Sequence, residues 1–173
     1  DSPEALLEMM NKNSIDIVYF LDRPTYDNKW ERVLDAPEEI LFVTRPDHPL
    51  AGRQDLSLDE VIREPFLLTE KNASYRFILE QYLASLQKEI HPFLEIGNTD
   101  FIIRLLRQGG SISLLPEFTV RDDIREGRLA PLSLTDFHMR TWRQMVYHKE
   151  KWATREMQAF IELVREEEAG AAS

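Results

Sequence analysis

Short apolar runs alternate along this chain with segments whose apolar residues recur every three or four positions, and polar turns separate the two. Ser2 as N-cap and Pro3 at the first helical position predict an opening helix carrying Leu6, Leu7, Met9 and Met10. Residues 15–21, IDIVYFL, predict a strand, and their nearly continuous apolar character is expected where other elements cover both sheet faces. After a turn over 23–27 and a polar connection, residues 39–44 (EILFVT) form a second predicted strand, ended by the loop RPDHPLAG. A short helix is expected over 58–62. The stretch PFLLTEKNASYRFILEQYLASL then repeats strand, turn and helix, with Ser74 as N-cap and Leu79, Tyr82, Leu83 and Leu86 on the buried face.

The same grammar recurs in FLEIGNTDFIIRLLRQGGSISLLPEF. Residues 93–96 read as a strand, Asn98 or Thr99 as an N-cap, 101–107 as a helix, and Gly109 or Gly110 as its stop. Residues 111–115 read as the next strand, closed by Pro116, which leads into a helix over 117–126 stopped at Gly127. This is a compact βαβ unit, whose strand ends and helix starts gather on one edge, where small ligands bind. Residues 129–134 are predicted to be extended and 143–148 to form a strand. Thr154 caps a final helix with Met157, Phe160, Ile161 and Val164 at helical spacing, while the EEE and AGAAS tail is expected to fray. The alternation defines an α/β fold in which one lobe begins early, a second is inserted, and the chain returns to the first. Two lobes imply a cleft.

Composition narrows the function classes. The chain of 173 residues is 43% hydrophobic, enough for a real core, and its net charge of -10 argues against a nucleic-acid grip, which needs clustered positive surface. With no cysteine there is no disulfide scaffold or cysteine-ligated zinc, and no apolar run reaches the ~18 residues of a membrane span. A cytoplasmic location is the default expectation, and no membrane partner is expected. His48, His91, His138 and His148 lie in unrelated contexts without metal-ligand spacing, and no nucleophile elbow, phosphate loop or dinucleotide fingerprint occurs. Neither catalysis nor a cofactor or metal is expected. Asp122 and Asp123 read as a solvated helix face.

Candidate ligand-contacting positions follow from the strand ends. Thr69 and Ser74 flank the turn after PFLL, where hydroxyls and backbone amides can hold a carboxylate or can simply cap a helix. Asn98 and Thr99 carry the same two readings at the neighbouring strand end. Lys71 and three helix amino ends favour a partly anionic small molecule, with Tyr26 or Phe118 as an apolar wall.

RPDHPLA at 45–51, PFLL at 65–68, the NT turn at 98–99, GGSISLLP at 109–116 and YHKEKW at 147–152 occur in one order over nearly the whole chain. In these strings and their spacing the chain resembles the effector-binding domain of LysR-type transcriptional regulators. The resemblance implies two Rossmann-like lobes similar to type 2 periplasmic binding proteins, with a small-molecule effector between them. The first lobe would comprise residues 1–60 and 138–173, the second 61–137, joined by crossovers near 58–65 and 132–140. It raises the ligand reading for Thr69. It also implies Pro24 and Thr25 as a first-lobe pocket wall, where the alternative is a plain turn. Ser113, Leu115 and Pro116 would line the opposite side, the serine being otherwise a strand residue facing a helix. Phe137 and His138 follow the second crossover and would face the cleft. The helix-turn-helix of the family and the opening strand, helix and strand of its first lobe are not in this sequence, so DNA contact is expected only through an attached domain. A homodimer or tetramer is implied, with pairing through the helices carrying Leu6 to Met10 and Tyr75 to Leu86, although packing within one chain explains their amphipathic faces equally well. The rival reading is a transporter's solute-binding protein, which shares the two-lobe plan; an enzyme on the same plan would need a clustered acid or base.

Overall fold

The computed structural model describes residues 2–24 and 27–171. The element order is α1 (Pro3–Asn11), β1 (Ile17–Asp22), β2 (Trp30–Thr44), α2 (Leu58–Val61), β3 (Leu67–Leu68), α3 (Ser74–Ser85), β4 (Leu94–Glu95), α4 (Thr99–Leu106), β5 (Ser113–Pro116), α5 (Glu117–Arg125), β6 (Ala130–Pro131), β7 (Met139–His148) and α6 (Arg155–Ala171). Contacts divide the chain into a first unit, Asp1–Pro37 with Trp142–Ser173, and a second, Glu38–Thr141.

In the first unit, Ser2 Oγ accepts from Ala5 N at 3.3 Å and Pro3 occupies the first helical turn, so α1 starts where its capping residues place it. β1 pairs antiparallel with β7, from Ile17 opposite Tyr147 to Asp22 opposite Trp142. Met10, Val18, Phe20, Trp30 and Val146 form the core, and the Trp30 ring meets His148 edge-on at 5.5 Å. Three expectations are corrected here. β1 buries Val18 and Phe20, while its alternate face carries the half-buried Ile17 and Leu21 and a 42% exposed Tyr19, so the second face of the strand is only partly covered. The expected polar connection is strand: β2 begins at Trp30, whose indole is buried while charged neighbours face out. Finally, α6 continues through the glutamates instead of fraying; Thr154 caps it, Met157 and Ile161 are buried, and Glu168 pairs with Arg143 on β7.

In the second unit, β3 and β4 are parallel, Leu67 opposite Leu94 and Leu68 opposite Glu95. Phe66 bridges in parallel to Ile112, just before β5. β5 then pairs antiparallel with β2, Val43 opposite Ser113 through Ile40 opposite Pro116. The helices α3, α4 and α5 follow β3, β4 and β5 directly, as the strand-turn-helix grammar requires. The α4 helix ends in consecutive left-handed glycines, Gly109 at φ +93° and Gly110 at φ +82°, a backbone that a side chain would oppose. Val43, Leu67, Ile102, Ile103, Leu106, Leu115, Val120 and Leu129 make the core.

Local readings shift in this unit. The N-cap of α3 is Ala73, with no side-chain cap, and Ser74 is the first helical residue. Leu79 and Leu83 are buried, but Tyr82 and Leu86 are only partly so; Tyr75 and Arg76 are the other buried residues of the helix. The Asp122–Asp123 pair is not one solvated face. Asp122 is exposed, whereas Asp123 is buried and accepts from Arg107 Nε and Nη2, both at 2.7 Å, and from Arg128 Nε at 2.5 Å. Adjacent helix residues point about 100° apart, so one carboxylate turns inward while the other meets water.

The Arg107 guanidinium beside Asp123 holds its carboxyl below the usual range; burial opposes this and Arg128 assists. Asp123→Ala is expected to cost about 2 kcal/mol, read as a lower urea midpoint. A depressed folded-state pKa means that the unfolded chain takes the proton first. The Asp123 contribution is therefore complete above its unfolded pKa of about 3.9 and is lost as pH falls from there through the folded value. The stability gap between the native chain and Asp123→Asn should close in that window, measured by denaturation at stepped pH.

Candidate functional site

Three parallel strand ends, each followed by a helix start, define the carboxyl edge of the second unit. Thr69 directly follows β3 and is buried. Its hydroxyl makes no hydrogen bond of standard geometry, although it lies beside the Tyr75 phenol. Burial pushes the Tyr75 pKa up, and the Thr69 side chain offsets part of that rise. The Thr69 carbonyl accepts from Arg76 Nη1 at 3.0 Å, so the buried guanidinium fixes the backbone of the turn. Arg76 is 1% exposed and is balanced by Glu80, whose Oε1 accepts from its Nε at 2.7 Å.

At the β4 end, Asn98 Oδ1 accepts from Phe101 N at 3.0 Å, so Asn98 is the N-cap of α4 and Thr99 its first helical residue. Glu70 lies over Gly97: a Cβ there would come within 2.5 Å of Glu70 Oε1, so the carboxylate stands between the β3 and β4 ends. At the β5 end, Pro116 is buried and is the N-cap of α5, with no side-chain bond of its own to offer. Glu38 of β2 supplies it instead, its Oε1 accepting from Phe118 N at 2.8 Å. Ser113 is fully buried in β5, and its Oγ has no hydrogen-bond partner among the described residues.

The topology thus brings Thr69, Ser74, Asn98, Thr99 and Pro116 to one edge. Ser113 lies three residues upstream within β5. His138 is on the exposed surface, its Nε2 2.5 Å from Glu39 Oε2, and Glu39 also pairs with Arg140. Pro24 follows β1 in the first unit and is half-buried, while Thr25 and Tyr26 lie outside the described residues. Lys71 is exposed beside a groove of about 580 Å³ that it lines with Arg76, Glu80, Lys88, His91 and Glu95. Phe118 is partly exposed at the α5 start. Among the described residues no group of His, Cys, Asp and Glu has a metal-binding arrangement.

Sequence reading missed Glu38, Glu70, Tyr75 and Arg76. The i,i+4 spacing of Arg76 and Glu80 was a visible signal for a pair. Nothing local marked Glu38, which acts on a helix 80 residues away.

The family model of the LysR substrate binding domain matches residues 1–169, and the chain belongs to that family. It is 32% identical over 165 residues to the uncharacterized HTH-type transcriptional regulator YwqM of Bacillus subtilis, covering 95% of this chain and 55% of that protein. Against the RuBisCO operon transcriptional regulator of Allochromatium vinosum it is 26% identical, covering 96% of this chain and 55% of that protein. The chain therefore spans about half the length of these curated relatives. The regulatory domain of Synechocystis CcmR, solved in complex with 2-PG, superposes with a TM-score of 0.75 at 20% identity, over 94% of this chain and 77% of that one. The QuiR effector binding domain, solved with shikimate, gives a TM-score of 0.70 at 12% identity over 92% and 75%. The fold is that of LysR effector-binding domains, the α/β architecture of type 2 periplasmic binding proteins. No helix among the described residues is long and apolar enough to cross a membrane.

A buried hydroxyl without a partner is a liability that alanine removes. Ser113→Ala should leave stability unchanged or raise it by up to about 1 kcal/mol in thermal denaturation. A loss larger than that would mean the hydroxyl is satisfied by a bound water or ligand.

Proposed function

We propose that this chain is the effector-sensing domain of a LysR-type transcriptional regulator and that a small molecule docks on the carboxyl edge of the second unit. The observation that supports this most is the alignment of three strand ends and helix starts in a chain whose family membership spans residues 1–169. Thr69, Ser74, Asn98, Thr99, Ser113 and Pro116 are the proposed contacts there, and Pro24, Thr25 and His138 are kept as further candidate contacts on the family resemblance alone. Residues 61–137 form the second regulatory lobe in this reading, and residues 1–60 with 138–173 the first. The HTH-type relatives support an attached DNA-binding domain through which effector occupancy changes promoter engagement. A cytoplasmic homodimer or tetramer is part of the same proposal. A ligand achieves this only by binding one regulatory arrangement more tightly than the other. No step of chemistry on the effector is needed.

The ligands of similar domains, 2-PG and shikimate, both carry anionic groups, and helix amino ends favour such groups. We infer a small metabolite that carries an anionic group such as a carboxylate or phosphate. The test is a thermal-shift screen of this chain against small organic acids, phosphorylated acids and neutral metabolites, followed by titration calorimetry. An anionic hit is expected, and a folded chain that responds to none of them would contradict the proposal. Thr69→Val and Thr99→Val should each weaken the hit by about 1.5–3 kcal/mol, a loss of order 10- to 100-fold, with unchanged melting temperature. Unchanged affinity in both variants would move the site elsewhere.

A further inference from the structure

The three helix starts at this edge are in different electrostatic states. The α4 start is capped by the neutral amide oxygen of Asn98, and the α3 start has no side-chain cap. The α5 start is closed by a carboxylate from a distant strand: Glu38 is 3% exposed and its Oε1 accepts from Phe118 N at 2.8 Å. The register explains how it gets there. Ile40 stands opposite Pro116, so Glu38, two residues earlier on the same face of β2, falls beyond the end of β5 against the first turn of α5. Pro116 cannot cap that turn itself, having no side-chain acceptor and no N–H. A helix amino end also favours negative charge, so a carboxyl group suits the position.

We propose that Glu38 is a specificity-determining residue of the effector site: it occupies, as an internal anion, the α5 position that an effector's carboxylate or phosphate would otherwise take. The assignment rests on reading this edge as the effector surface. Its consequence is an oriented ligand. The effector's anionic group is turned toward the α3 and α4 starts, and the end that faces Glu38 carries hydroxyl or other hydrogen-bond donors. A second anionic group at that end meets like charge and is rejected.

The test uses sulfate as a small dianion and the backbone amide of Phe118 as the reporter. Sulfate is titrated, against chloride at matched ionic strength, into the native chain, Glu38→Ala and Glu38→Gln, followed by amide chemical shifts. The native chain should show no saturable shift at Phe118. Both variants should show one, with at least a tenfold gain in apparent sulfate affinity, and Glu38→Ala should recover melting temperature in sulfate beyond its recovery in chloride. Glu38→Gln keeps an acceptor oxygen near Phe118, so it remains informative if the alanine variant does not fold. A Phe118 amide that ignores sulfate in every folded variant, or responds equally in the native chain, would overturn the assignment. This readout is independent of the metabolite screen: a silent screen contradicts the effector site, whereas a silent Phe118 contradicts only the role of Glu38.

Discussion

Everything at the candidate site depends on how β3 is held. Two short residues of strand would be marginal alone, yet β3 is hydrogen-bonded on both sides. Leu67 N donates to Ile112 O at 2.9 Å, and Ile112 N to Pro65 O at 2.9 Å. On the other side Phe93 N donates to Phe66 O at 3.0 Å and Ile96 N to Leu68 O at 3.0 Å. These bonds align the ends of three parallel segments, and Phe66, Leu67 and Leu68 are all buried within them. With the strand ends level, the helices that follow must begin at one edge. The position of Thr69, Asn98 and Pro116 is a consequence of that alignment.

The edge is also charged in a particular way. Arg76, buried beneath the Thr69 turn, is balanced by Glu80 and tied to the Thr69 carbonyl, so its charge stiffens the turn. Glu70 and Glu38 place carboxyl groups at two of the three strand ends. The positive field of the helix starts is therefore partly offset inside the protein. This supports a ligand with a single anionic group better than it supports a dicarboxylate spanning the edge.

Much of this was legible in the sequence, and the failures have physical causes. Capping and stop residues marked the boundaries of α1, α4 and α5 because those signals are local: Ser2, Asn98 and the positive-φ glycines act within one turn. The first half of β2 was missed because WERVLDAPE has the charge of a connection, and only its pairing partners make it strand. The run IDIVYFL looked covered on both faces because apolar content does not report exposure, which Tyr19 shows. Residue type alone points to Ser74 as a cap, whereas the turn closes one residue earlier, with the Ala73 amide donating to Glu70 O at 3.1 Å. At the site, the strand-end hydroxyls were readable from the strand-turn-helix pattern. Glu38, Arg76 and the buried Asp123 were not, since each acquires its role from a partner that folding brings to it.

The most direct measurement is an amide chemical-shift map of this chain titrated with 2-PG, shikimate and any further anion that stabilises it. The account predicts that saturable shifts cluster in residues 69–76 and 98–101 of the second unit. Saturable binding whose shifts leave both segments untouched and fall instead around residues 88–92, or within the first unit alone, would contradict it.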